Sequence, residues 1–139
     1  MSFSELSLSP VLLQSIRERG HRQPTAIQSG AIPLALAGRD LIAIAETGSG
    51  KTVAFLLPVL DRLHSNRPDG IGALVLAPTR ELASQIGHEF DLLARNTGLR
   101  AAAMWGENRS VGKCAQSVPA SSSRSHALED SSIISNAAR

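Results

Sequence analysis

The stretch AETGSGKT, residues 45–52, decides how this 139-residue chain is read. Gly48 and Gly50 stand just before Lys51 and Thr52, and a short apolar run, Asp40 to Ala45, precedes them. Glycines let successive backbone N–H groups turn inward around an anion, a lysine reaches the outer phosphates, and a hydroxyl suits Mg²⁺. Ala45 occupies the place of the first glycine in the general pattern. The spacing therefore predicts a phosphate-binding loop between a strand and a helix, with the helix N-terminus adding partial positive charge. The competing reading is an accidental glycine-rich turn. With glycine at ~7% of average sequence, a chance match in a chain of this length is roughly a 1-in-100 event. The strand–loop–helix context makes it rarer still.

Working outward from the loop, Ser9-Pro10 predicts a helix start with Ser9 as N-cap and Pro10 at the first helical position. Leu12, Leu13 and Ile16 supply its apolar stripe and Gly20 its stop. A second helix is expected from near Thr25 to Gly38, kinked or split by Pro33. The run Asp40 to Ala45 has the continuous apolar character of a strand buried on both faces. After the loop, Val53, Leu56, Leu57, Leu60 and Leu63 recur at helical spacing, and Pro58 predicts a bend. Ile71 to Ala77 reads as a second buried strand. Thr79 should cap a helix bearing Leu82, Ile86, Phe90 and Leu93 on one face, and LRAAAMW (99–105) reads as a third strand. Helix, helix, strand, helix, strand, helix, strand predicts an α/β fold, a doubly wound parallel sheet with crossover helices.

One domain at most fits this length, and 42% hydrophobic residues suffice for a core. A net charge of +2 does not by itself argue for a nucleic-acid partner. The single cysteine, Cys114, excludes an internal disulfide and any multi-Cys zinc site, and Lys113-Cys114 has no acid or base partner in sequence. The N-terminus MSFSELSLSP lacks a basic and apolar leader pattern, and no apolar run approaches ~18 residues, so a soluble, cytoplasmic monomer is expected. The sequon at Asn108 is read as coincidence. From Glu107 the composition shifts, with nine serines among the last 33 residues. The chain therefore divides into 1–106 and a divergent Ser-rich tail, 107–139, expected to be disordered.

Three segments in order, PTAIQ upstream, AETGSGKT, and APTRELASQ downstream, resemble the Q motif, motif I and motif Ia of DEAD-box ATP-dependent RNA helicases. The wording resembles bacterial members most, including the opening SFSELSLSP, and the resemblance covers residues 1 to 106. It implies the N-terminal part of the family's first RecA-like domain, an incomplete P-loop domain, with ATP and Mg²⁺ as cofactors and single-stranded or duplex RNA as partner. ATP would contact Phe3, Gln28 and the loop residues Ala45, Glu46, Thr47, Gly48, Ser49, Gly50, Lys51 and Thr52. Gln28 would read adenine, since a planar amide both accepts from N6–H and donates to N7, and Phe3 would pack on the base. Lys51, the candidate catalytic residue, would stabilise the β- and γ-phosphates while Thr52 coordinates Mg²⁺. Glu46 replaces the commoner Gln of this loop and adds negative charge beside a polyanion. Pro78, Thr79 and Arg80 would meet RNA phosphates where a strand ends and a helix begins. Gly106 sits where the family has a Gly-Gly pair, followed here by the carboxylate of Glu107.

The blander alternatives are a solvated helical Gln28, a surface Phe3, and a Thr79 that only caps its helix while Arg80 pairs with an acidic neighbour. The resemblance also marks what the chain lacks. No D-E-x-D sequence occurs among its residues, and Glu129-Asp130 follows no apolar strand. The Thr-Pro-Gly-Arg and Ser-Ala-Thr segments and the second RecA-like domain are missing as well. The sequence therefore predicts ATP binding without hydrolysis or unwinding by this chain alone. A frameshifted or truncated gene near residue 107 is the expected cause, and a non-hydrolysing ATP-binding module or a non-functional product are the alternatives.

Overall fold

Ser9-Pro10 opens the first helix where the sequence places it. In the computed structural model, which describes residues 2–104, α1 runs Pro10–Glu18 after a short 3₁₀ helix, Phe3–Leu6. The Ser9 hydroxyl makes no cap bond; its backbone N–H instead donates to Asp61 Oδ1 at 2.8 Å, tying the start of α1 to a helix 52 residues on. Gly20, at φ 75°, ends α1: its N–H bonds to Arg17 O and the His21 N–H to Ile16 O. That paired closure needs a left-handed residue, which glycine supplies without Cβ strain.

Helix α2 spans Ala26–Leu36, with Thr25 as N-cap and Gly38, at φ 74°, just past the end. Thr25 and Gln28 cap reciprocally: Gln28 N–H donates to Thr25 Oγ1 at 3.5 Å and Thr25 N–H to Gln28 Oε1 at 3.0 Å. Helix α3, Lys51–Ser65, starts directly from the phosphate-loop sequence, and α4, Arg80–Ala94, starts at Thr79, whose hydroxyl accepts from Leu82 N–H at 3.2 Å. Both helices with internal proline are continuous elements: α2 runs through Pro33 and α3 through Pro58. Pro58 is buried within α3's core-facing stripe, where packing on that face outweighs the lost backbone hydrogen bond.

Helix α3 is the centre. It packs most extensively against α2 and also meets α1 and α4. Leu12 and Ile16 from α1, Ile32 from α2, Leu56, Leu57 and Leu60 from α3, and Leu93 from α4 are all sealed from solvent. Each such side chain contributes about 1.5–3 kcal/mol relative to exposure.

The three strand segments differ from expectation. Among the described residues, 40–45, 71–77 and 99–104 carry no ladder hydrogen bonds and are not strands. Their apolar side chains face water: Ile42 and Ile44 are each 90% exposed, Leu76 85% and Met104 84%. Only Leu99 and Ala101 pack against the helical core. The physical reason lies in what a parallel sheet requires. A strand with both faces apolar is stable only between two covering layers and beside paired neighbours, and here the helices close around α3 without such a sandwich. Trp105 and the tail 107–139 lie outside the described residues.

Candidate nucleotide-binding site

The loop joining residue 45 to α3 is shaped by two left-handed glycines, Gly48 at φ 82° and Gly50 at φ 91°. Side chains rarely adopt that region, so both positions favour glycine. At Gly50 there is a second reason. A Cβ there would lie 2.5 Å from Gln28 Nε2, so no larger residue fits without displacing it. Gly50 is also the N-cap of the 15-residue α3, whose first N–H groups and dipole face the loop.

The loop closes on its own carbonyls. The Glu46 carbonyl accepts from Ser49 N–H at 3.3 Å, from Ser49 Oγ at 2.7 Å and from Lys51 Nζ at 2.5 Å. Lys51 Nζ donates to Ala45 O as well. The ammonium thus occupies two backbone acceptors of the loop it belongs to. Lys51 and Thr52 are half-buried, and Glu46, Thr47 and Gly48 are exposed.

Gln28 is 3% exposed. Its Nε2 donates to Gly50 O at 3.2 Å while its Oε1 caps α2, so one amide links the start of α2 to the loop. A primary amide has two N–H donors and two acceptor lone pairs, which leaves one of each for a further ligand. Phe3 is also buried, at 4%, and not a surface side chain. It lines an open cleft of about 480 Å³ with Ser2, Leu13, Arg17, His21 and Arg22. Gln28 does not line that cleft, so the structure does not bring the two candidate base-binding residues into one cavity. His21 Nε2 is buried there without a hydrogen-bond partner.

At the third candidate region, Pro78, Thr79 and Arg80 are exposed at the start of α4, and the Thr79 hydroxyl is engaged as cap. Arg80 has a partner of its own. Gly106 lies outside the described residues. Among the described residues no group of three or more His, Cys, Asp or Glu gathers as a metal site, and no helix is long and apolar enough to cross a membrane.

Sequence comparison identifies the class. The DEAD/DEAH box helicase family matches residues 25–127, and the chain belongs to that family. The ATP-dependent rRNA helicase RRP3 of Lodderomyces elongisporus is 52% identical over 105 residues, covering 76% of this chain and 21% of the relative. Among solved structures, the RNA helicase Prp28 of Chaetomium thermophilum bound to ADP superposes with a TM-score of 0.69 at 44% identity, over 77% of this chain and 27% of that one. Dbp5 of Saccharomyces cerevisiae bound to RNA and ADP BeF3 gives 0.66 at 38% identity, over 71% and 26%.

The fold class is therefore α/β, part of a DEAD-box RecA-like domain, although the strand segments here lack their ladder. The chain spans about one fifth of the length of its curated relative. These relatives are fungal, and the expected bacterial character finds no support in them. The motif wording is fixed by phosphate and nucleic-acid chemistry that does not differ between kingdoms.

Proposed function

We propose that this chain is the ATP-binding portion of an ATP-dependent RNA helicase. The observation that carries this is the loop 45–52. Two left-handed glycines shape the loop at the N-terminus of α3, and Gln28 packs so closely on Gly50 that a Cβ there would clash with its amide. The residues fit the group: backbone N–H groups of the loop and Lys51 would hold phosphates, and the Thr52 hydroxyl would hold Mg²⁺. Bound Mg²⁺ would supply charge neutralisation on the phosphate oxygens. Lys51 must first leave the Ala45 and Glu46 carbonyls, so phosphate oxygens replace acceptors that the loop already provides. Gln28 reads adenine with its spare N–H and lone pair, while Phe3, buried in the core, lies outside that contact.

RNA would run past Pro78, Thr79, Arg80 and Gly106, with backbone N–H groups of α4 and the Arg80 guanidinium on its phosphates. A monomeric, cytoplasmic protein suits this reading.

Titration of the purified chain with Mg·ATP tests it. ATP should bind and Lys51→Ala should abolish binding, and at 100 times Kd the nucleotide should stabilise the fold by about 2.7 kcal/mol. A chain that gains no thermal stability from Mg·ATP sinks the proposal, and GTP competing as well as ATP sinks the role given to Gln28.

A further inference from the structure

Only two residues of the loop 45–52 carry charge, Glu46 and Lys51, so the side chains of this anion cradle sum to zero. Attraction for phosphate then rests on Lys51 and on the partial charge at the start of α3, equivalent to about half an elementary charge. Glu46 is exposed, and no described cation pairs with its carboxylate. Its own carbonyl lies 2.5 Å from Lys51 Nζ. The carboxylate hangs from the same residue on three rotatable bonds, so it lies within one side chain's length of that carbonyl.

We propose that Glu46 determines how strongly this loop discriminates by phosphate number: its carboxylate opposes bound polyphosphate, weakening triphosphate most, diphosphate less, and a nucleoside not at all. The inference rests on the nucleotide-binding reading above and adds to it a residue that lowers affinity. Two features make the effect one of charge. The Glu46 carbonyl, not its side chain, makes the hydrogen bonds that shape the loop. An exposed side chain can also be exchanged for its isosteric amide without repacking.

The test is calorimetric titration of the full chain with ATP, ADP and adenosine in Mg²⁺, comparing wild type, Glu46→Gln and Glu46→Asp. Glu46→Gln should bind ATP roughly two- to five-fold tighter, the scale of exposed charge interactions. The gain for ADP should be smaller and that for adenosine nil, while Glu46→Asp stays with wild type. Raising salt from about 0.1 M to about 1 M, which shortens the screening length from ~10 Å to ~3 Å, should shrink the gain. The inference is overturned if Glu46→Gln binds ATP no tighter than wild type, if adenosine gains as much as ATP, or if Glu46→Asp gains equally. Each of those results leaves ATP binding itself intact. No ATP binding by wild type or by Glu46→Gln overturns the nucleotide reading and this inference together.

Discussion

Gly50 shows what one residue can be asked to do. Its φ of 91° excludes most side chains, its carbonyl accepts from both Ala54 N–H and Gln28 Nε2, and the space where a Cβ would go is occupied by Gln28. Gly48 has the conformational constraint alone, with open space around it. The two glycines look equivalent in the sequence, and only the three-dimensional neighbourhood separates them. Gly50→Ala should therefore cost more than Gly48→Ala, about 2–3 kcal/mol against about 1, because it adds a steric clash to the strain of a left-handed backbone. Thermal unfolding of the two variants measures the difference, and equal losses would show that the contact with Gln28 carries no weight. Gln28 itself was legible as a special residue from its neighbours in sequence. Its grip on Gly50 was not, since that contact joins residues 22 apart.

At the scale of elements, the helices were readable because each carries local signals that agree. Thr79 and Thr25 cap, Gly20 and Gly38 stop, and Leu12, Ile16, Leu56, Leu57, Leu60 and Leu93 recur at helical spacing and are sealed in the core. Leu57 is sealed in the core on α3, the helix that packs against the other three. Leu57→Ala should remove about 2–5 kcal/mol, enough to unfold a chain of marginal stability, whereas truncation of the half-buried Leu13 should cost far less. Chemical denaturation of both variants checks this order. The strand segments were misread for a physical reason. The apolar runs at 40–45 and 71–77 signal a tendency to be buried, but a ladder depends on partners elsewhere in the chain, which no local pattern encodes. Pro58 sits inside the continuous α3 and is buried on its core-facing stripe, so packing holds the helix together through a residue that disfavours helix locally.

For the whole molecule, the family match and the superpositions give a RecA-like fold while the helical half carries the packing. Ile42, Ile44, Ile71 and Leu76 contribute surface where the fold class would have a sheet interior. Exposed residues add little to folding stability, so Ile42→Ser with Ile44→Ser should change the unfolding free energy by less than about 1 kcal/mol, each surface change being worth about 0.5 at most. The same pair should raise solubility, since large exposed apolar patches promote association. Denaturant titration and a concentration series in light scattering report the two effects, and a loss of 3 kcal/mol or more would mean that these side chains are covered in solution.

The amide of Gln28 gives the molecule a way to be observed at a distance. Its oxygen protects the Thr25 N–H at the head of α2, and its nitrogen holds the loop at Gly50. Opening of that amide for a base would expose the Thr25 hydrogen to solvent exchange, while a base read with the spare donor and acceptor would slow exchange further by stiffening the link. Proton exchange at Thr25 is thus a clock on the loop, and the proposal that Gln28 keeps both bonds while reading adenine predicts that ATP slows it. Faster exchange with ATP would mean that the cap is surrendered when the site fills.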